Sequence, residues 1–75
     1  MRTEYIVKWA PPDDLLAMLQ LHDPDLRPFE HQYADKHEAQ QHASRAIITL
    51  SLLFRRVGLD LALVKLENTE VEYGA

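Results

Sequence analysis

The stretch "DKHEAQQHASRAIITLSLLFRRVG", residues 35–58, decides the fold because it carries the start, the body and the end of one long helix. Asp35 and Glu38 have the spacing of a capping box, in which both side chains bond the unpaired backbone N–H groups of a first turn. Two arginines near the other end suit the negative pole of a helix dipole, and Gly58 suits a left-handed cap. The stretch therefore predicts a helix over residues 36–57.

This helix carries one apolar stripe. Successive residues lie about 100° apart around a helix axis, so side chains three or four positions apart share a face. The stripe expected to face the core consists of Ala39, Ala43, Ala46, Ile47, Leu50, Leu53, Phe54 and Val57.

The opposite side of the same helix holds an aliphatic pair, Ile48 and Leu52, one turn apart. A solvent-facing side does not normally carry such a pair, so we expect something to cover it. The cover is either another part of this chain or another protein. Arg45 and Arg55 flank the pair, and arginine is enriched at protein interfaces. These four residues are the predicted partner-binding residues on the helix.

Upstream of the long helix, the pattern predicts a strand, a short helix and a second short strand. "TEYIVKWA", residues 3–10, alternates in the way typical of a strand with one buried face. Prolines followed by Asp13 and Asp14 favour a helix start, so a short helix is expected over about residues 12–20. Turn residues follow, and then "FEHQYA", residues 29–34, alternates again.

Downstream of the long helix, two segments are expected to be extended. "LDLALVKL", residues 59–66, is apolar at nearly every position, which predicts a central strand covered on both faces. "ENTEVEY", residues 67–73, alternates, so the strand either continues as an exposed edge or turns back around Asn68. Glu70, Glu72 and Tyr73 on this edge form the second candidate partner-binding surface.

Together these elements predict one small α+β domain spanning residues 1–75. A two- to three-stranded sheet packs on the one long helix of the C-terminal half, and a short N-terminal helix completes the fold. A chain of 75 residues has no room for a second domain or a deep enclosed active site.

Composition narrows the possible partners and compartment. The formal net charge is −4, the wrong sign for direct nucleic-acid binding. No apolar run is long enough for a membrane helix, and the N-terminus has no signal-peptide pattern. The chain contains no cysteine, which excludes disulfides and thiolate zinc sites and is compatible with the cytoplasm. We expect a soluble cytoplasmic protein that binds no membrane.

Catalytic and metal chemistry find little support in the residue pattern. His37 and His42 are five positions apart, so on a regular helix they point nearly opposite ways and cannot chelate one ion. No serine or threonine lies in a glycine-flanked nucleophile turn, and two glycines are too few for a phosphate loop. We expect no catalytic residue, metal or cofactor. A looser metal site remains an alternative if the loop folds back, with ligands among His22, Asp23, Asp25, His31 and His37.

The sequence therefore favours a non-enzymatic protein-binding module that forms a homodimer through helix faces or sheet edges. In size and acidity the chain is similar to the small inhibitors that phages and mobile elements encode, anti-CRISPR proteins among them. Two alternatives remain open. One is a metal-dependent or acid–base catalyst built on the His22–His42 segment, and the other is a small subunit of a larger assembly.

Overall fold

A computed structural model describes residues 1–74 and shows the predicted α+β fold. In chain order its elements are β1 (Arg2–Trp9), α1 (Asp13–His22), β2 (Phe29–Tyr33), α2 (Lys36–Val57), a single 3-10 turn (Leu61–Leu63) and β3 (Glu67–Tyr73). The three strands form one antiparallel sheet in the order β2-β1-β3. The three-stranded sheet, the long helix and the short N-terminal helix thus match the predicted architecture, although residues 59–66 are not one of the strands.

The strand register divides the sheet into a covered face and an open face. Val7 of β1 lies opposite His31 of β2 and Asn68 of β3, so these three side chains share the face that α2 covers. Val7 and Trp9 are fully buried on that face, in agreement with the alternation in residues 3–10. The other face, which includes Ile6 and Lys8, carries no further layer within residues 1–74.

Two apolar clusters join α2 to the rest of the domain. At its first half, Ala39 and Ala43 are small enough to bring the helix backbone close to Val7 of the sheet. At its second half, larger side chains pack with Trp9 and with Leu19 of α1; these are Leu50, Leu53 and Phe54. Ile47, expected in the core stripe, is instead 47% exposed because it lies at the margin of that stripe.

Both predicted ends of α2 are confirmed. The Asp35 carboxylate accepts a hydrogen bond from the backbone N–H of His37 at 2.9 Å, two residues on, rather than from the Glu38 N–H of a full capping box. Gly58 ends the helix with φ of 81°, a conformation that favours glycine because it has no Cβ.

The prediction of a central strand over residues 59–66 is wrong. The segment forms a short turn, in which the Asp60 carboxylate accepts a hydrogen bond from the backbone N–H of Ala62. Further along, the backbone of Lys65 has a positive φ of 48°. An apolar run of this kind needs cover on both faces to be a strand, and α2 covers only one face of this sheet. The segment instead closes the end of the core: Val64 is buried, whereas Leu61 and Leu63 remain partly exposed.

One buried hydrogen bond fixes this closing segment. The indole N–H of Trp9 donates to the carbonyl oxygen of Val64 at 2.9 Å. Trp9 is 1% exposed, so neither group has water as an alternative partner. The bond therefore ties β1, the central strand, to the residues that lead into β3.

Candidate protein-binding surfaces

The first candidate surface is the side of α2 that faces away from the sheet. We call it the outer face of α2 and define it by Arg45, Ile48, Leu52 and Arg55. Ile48 is 61% exposed and Leu52 is 57% exposed, so neither α1 nor β2 covers the pair. The possibility that another part of this chain covers them is thereby excluded for residues 1–74, and the apolar pair is free.

The outer face has the spacing of a helix that binds in a groove. Its residues follow one another at intervals of three, four and three positions, which keeps them in line along a helix. The two aliphatic side chains form the centre of that line, and the two arginines form its ends. The line is held straight by a helix of 22 residues whose opposite side is anchored in the core.

The outer face is cationic although the protein as a whole is acidic. Between residues 39 and 57, α2 contains no carboxylate. The ion pairs within residues 1–74 join Arg2 to Glu4 and Lys8 to Glu30, so the guanidinium groups of Arg45 and Arg55 have no carboxylate partner in the described part of the chain. Both remain available for a partner.

A surface depression on α2 is open to solvent and forms no enclosed site. It has a volume of about 470 Å³, and its walls are side chains of α2 alone: His37, Gln40, Gln41, Ser44 and Arg45. A single helix is convex, so long side chains, not a cleft between elements, shape this depression.

The second candidate surface is β3, and the structure does not join it to the first. Glu70 lies opposite Tyr5 and therefore on the face that α2 covers, and Glu72 shares that side. Tyr73 lies opposite Arg2 on the open face, where the Arg2 guanidinium stacks over its ring at 5.0 Å. The edge strand and the outer face of α2 are thus two separate surfaces.

A cluster of rings between β2 and α2 is not predicted from the sequence. Alternation in β2 brings Phe29, His31 and Tyr33 to one face, and His42 of α2 lies above all three. The Tyr33 hydroxyl bonds Nδ1 of His42 at 2.9 Å. His42 is therefore half-buried, whereas His37, on the other side of the helix, is exposed beside Gln41. The period-two pattern of residues 29–33 predicts that Phe29, His31 and Tyr33 share one face of the strand, but it does not place His42 above them.

This cluster favours a neutral His42. Burial lowers the pKa of His42, and the nearby His31 and Arg45 lower it further. The centroids of the His31 and His42 rings are 5.2 Å apart. Within residues 1–74, no three histidine or carboxylate side chains come close enough together to hold a metal ion. The potential ligands of the looser site thus remain apart.

Neither the character of the helices nor comparison with known proteins assigns a function to this chain. In the described part of the chain, none of the helices has the length and apolar character to cross a membrane. No known protein family, curated protein or solved structure matches this chain.

Proposed function

We propose that this chain is a non-enzymatic protein-binding module, a small inhibitor or accessory protein that binds its partner through the outer face of α2. The observation that supports the proposal is the exposure of Ile48 and Leu52 on a helix whose other side is buried. More than half of each side chain is still in water, so its burial by a partner contributes about 1–2 kcal/mol.

The partner that fits this face is a protein with an apolar groove and an acidic rim. The groove floor accepts Ile48 and Leu52, while carboxylates on the rim pair with Arg45 and Arg55 at the two ends of the line. An arginine binds a carboxylate through two parallel hydrogen bonds, which fixes the helix register in the groove. The charges also speed association with a negatively charged partner.

A second copy of the chain fits this face less well. If two α2 helices pair antiparallel around Ile48 and Leu52, Arg45 of one copy meets Arg55 of the other. No carboxylate between residues 39 and 57 offsets that repulsion. The homodimer expected from the sequence is therefore left to measurement. The occupant that we propose for the outer face of α2 is a different protein.

The catalytic alternative has one supporting observation, the Tyr33–His42 hydrogen bond beside His31. A neutral imidazole next to a hydroxyl has the two groups of an acid–base pair. Against it, these side chains line neither the depression on α2 nor the smaller groove beside β3. Elemental analysis of protein purified without a histidine tag, with stoichiometric metal as the positive result, tests the metal-dependent form.

The test of the proposal is site-specific photo-crosslinking in cells that produce the protein. A benzophenone side chain is placed at residue 48, and a matched copy carries it at Gln32, an exposed residue of β2. We expect residue 48, but not residue 32, to form one adduct of defined mass. An adduct of twice the chain mass means self-association and contradicts the proposed partner.

Binding of the purified partner then decides the mechanism. Replacing Ile48 and Leu52 with aspartate should weaken binding at least about tenfold, because two buried aliphatic contacts are lost. Arg45→Glu with Arg55→Glu should slow association and reduce its dependence on salt. Equal affinity for the natural protein and the Ile48→Asp/Leu52→Asp variant would refute the proposal.

A further inference from the structure

The outer edge of β3 is an unpaired strand edge. On its inner side β3 pairs with β1 without interruption, from Tyr73 opposite Arg2 to Glu67 opposite Lys8. Within residues 1–74 no strand pairs with its other side, since the sheet order is β2-β1-β3. Backbone N–H and C=O groups along that side are therefore open to a further strand.

This edge lacks most of the features that keep strands from pairing. Natural sheets protect their edges with proline, lysine, bulges or very short strands. β3 has seven residues, contains no proline, lysine or glycine, and keeps one continuous register. Among the described residues, the protection that remains is negative charge, from the exposed residues Glu67, Glu70 and Glu72.

The charge at this edge is not neutralised by its neighbours. Arg2 bonds Glu4 at 3.3 Å and stacks on Tyr73, and Lys8 lies 3.6 Å from Glu30 of β2. None of the β3 glutamates takes part in an ion pair in the described part of the chain. The edge thus repels an acidic strand and attracts a basic one.

A groove lies along the same strand on the side toward α2. It has a volume of about 250 Å³ and is lined by Tyr5, Lys36, Gln40, Asn68 and Glu70. Partial burial raises the pKa of Tyr5, and the adjacent Glu70 carboxylate raises it further. Tyr5 therefore stays a neutral hydroxyl beside Glu70, and the groove offers polar partners for side chains of an added strand.

We propose that the outer edge of β3 binds an extended, lysine- or arginine-bearing segment of a partner protein by strand addition. The backbone of the segment pairs with β3, and its alternate side chains reach Glu70 and Glu72 on one face and Glu67 on the other. A second copy pairing through β3 is disfavoured because it concentrates the glutamates of two strands in one ribbon. This proposal does not rest on the outer face of α2.

The test uses a fluorescein-labelled peptide of alternating lysine and threonine, as long as β3. Fluorescence anisotropy gives its affinity, and amide hydrogen exchange shows where it binds. We expect slower exchange at alternate residues of β3. Replacing Glu67 and Glu72 with lysine should weaken binding about tenfold or more. A matched control reverses Asp13 and Asp25, which are exposed and lie outside β3, and should leave the affinity within about twofold.

Three results would overturn the inference. Equal weakening by the two double charge reversals means diffuse attraction only. Unchanged exchange in β3 of the natural protein, with the peptide bound, places the peptide elsewhere. Equal binding of a peptide in which two threonines are replaced by proline excludes backbone pairing. The Ile48→Asp/Leu52→Asp variant should bind the peptide normally, so failure of this inference and failure of the proposed function are distinguishable.

Discussion

Replacing Trp9 with phenylalanine should remove a large part of the stability of this domain. The indole N–H of Trp9 is the hydrogen-bond donor to the Val64 carbonyl, and its ring fills the junction between α1, α2 and the closing segment. Phenylalanine keeps one ring but loses the donor and leaves space behind. The substitution therefore tests how residues 59–66 are fixed.

The expected loss is about 2–4 kcal/mol. A ring smaller by about 40 Å³ leaves a cavity that costs about 1 kcal/mol at ~24 cal/mol per Å³. A buried carbonyl left without its donor costs about 1–3 kcal/mol more. A domain of 75 residues has a free energy of unfolding of about 4–11 kcal/mol, so the loss is about a quarter to a half of the total for a domain of intermediate stability.

Urea unfolding followed by circular dichroism measures this loss. With a slope near 1 kcal/mol per molar urea, the midpoint should move down by about 2–4 M. Tyr73→Phe is the matched control, because Tyr73 is exposed and its change should stay within about 0.5 kcal/mol. A loss below about 1 kcal/mol for Trp9→Phe would show that the Val64 carbonyl finds another donor, and it would refute this account of the closing segment.

Three further perturbations have defined outcomes. Because burial and the neighbouring charges lower the pKa of His42 below 6.5 in the folded protein, the unfolded chain binds the proton more readily. The free energy of unfolding should then fall as the pH drops below about 6.5, and His42→Gln should reduce that fall in a urea titration from about pH 8 to 5; an unchanged pH profile contradicts the reasoning. Ala43→Leu should cost about 1–3 kcal/mol by overpacking against Val7, whereas Ser44→Leu on the exposed side should cost under about 0.5, and a comparison of their urea midpoints decides. Gly58→Ala should cost about 1 kcal/mol because its left-handed backbone disfavours a residue with a Cβ. No steric clash adds to this cost, since the added Cβ meets no atom within 4 Å, and an unchanged melting temperature would refute the prediction.

The sequence predicts α2 and the helix-facing side of β1 well because their periodicity is unambiguous. The spacing from Ala39 to Val57 matches a helix with one buried stripe, and the Asp35 and Gly58 signals fix both ends. The helix caps at Asp35 and Gly58 involve only residues close in sequence, so they do not depend on the rest of the fold. The exposure of Ile48 and Leu52 follows from the same geometry once no other element covers that side.

The segment 59–66 fails as a strand because its pattern alone does not report how many faces of the sheet are covered. An apolar run predicts a strand only in a sheet with two covered faces, and this sheet has one. The Trp9–Val64 bond joins positions far apart in sequence, so no local pattern reveals it. The pairing of Tyr33 with His42 is similar, because it depends on where α2 crosses the edge strand.

The most direct test of the central claim is the free energy of unfolding of the Ile48→Asp/Leu52→Asp variant, measured beside Leu50→Asp. The claim is that the outer face of α2 is free surface, available for a partner, and not part of the core. We expect the double variant to lose about 1–3 kcal/mol, because about 40% of each side chain is already buried and aspartate is a weaker helix former. Leu50→Asp, at a side chain that is 3% exposed, should lose more than about 4 kcal/mol or unfold. A double variant as unstable as Leu50→Asp would contradict the account, because Ile48 and Leu52 would then belong to the core.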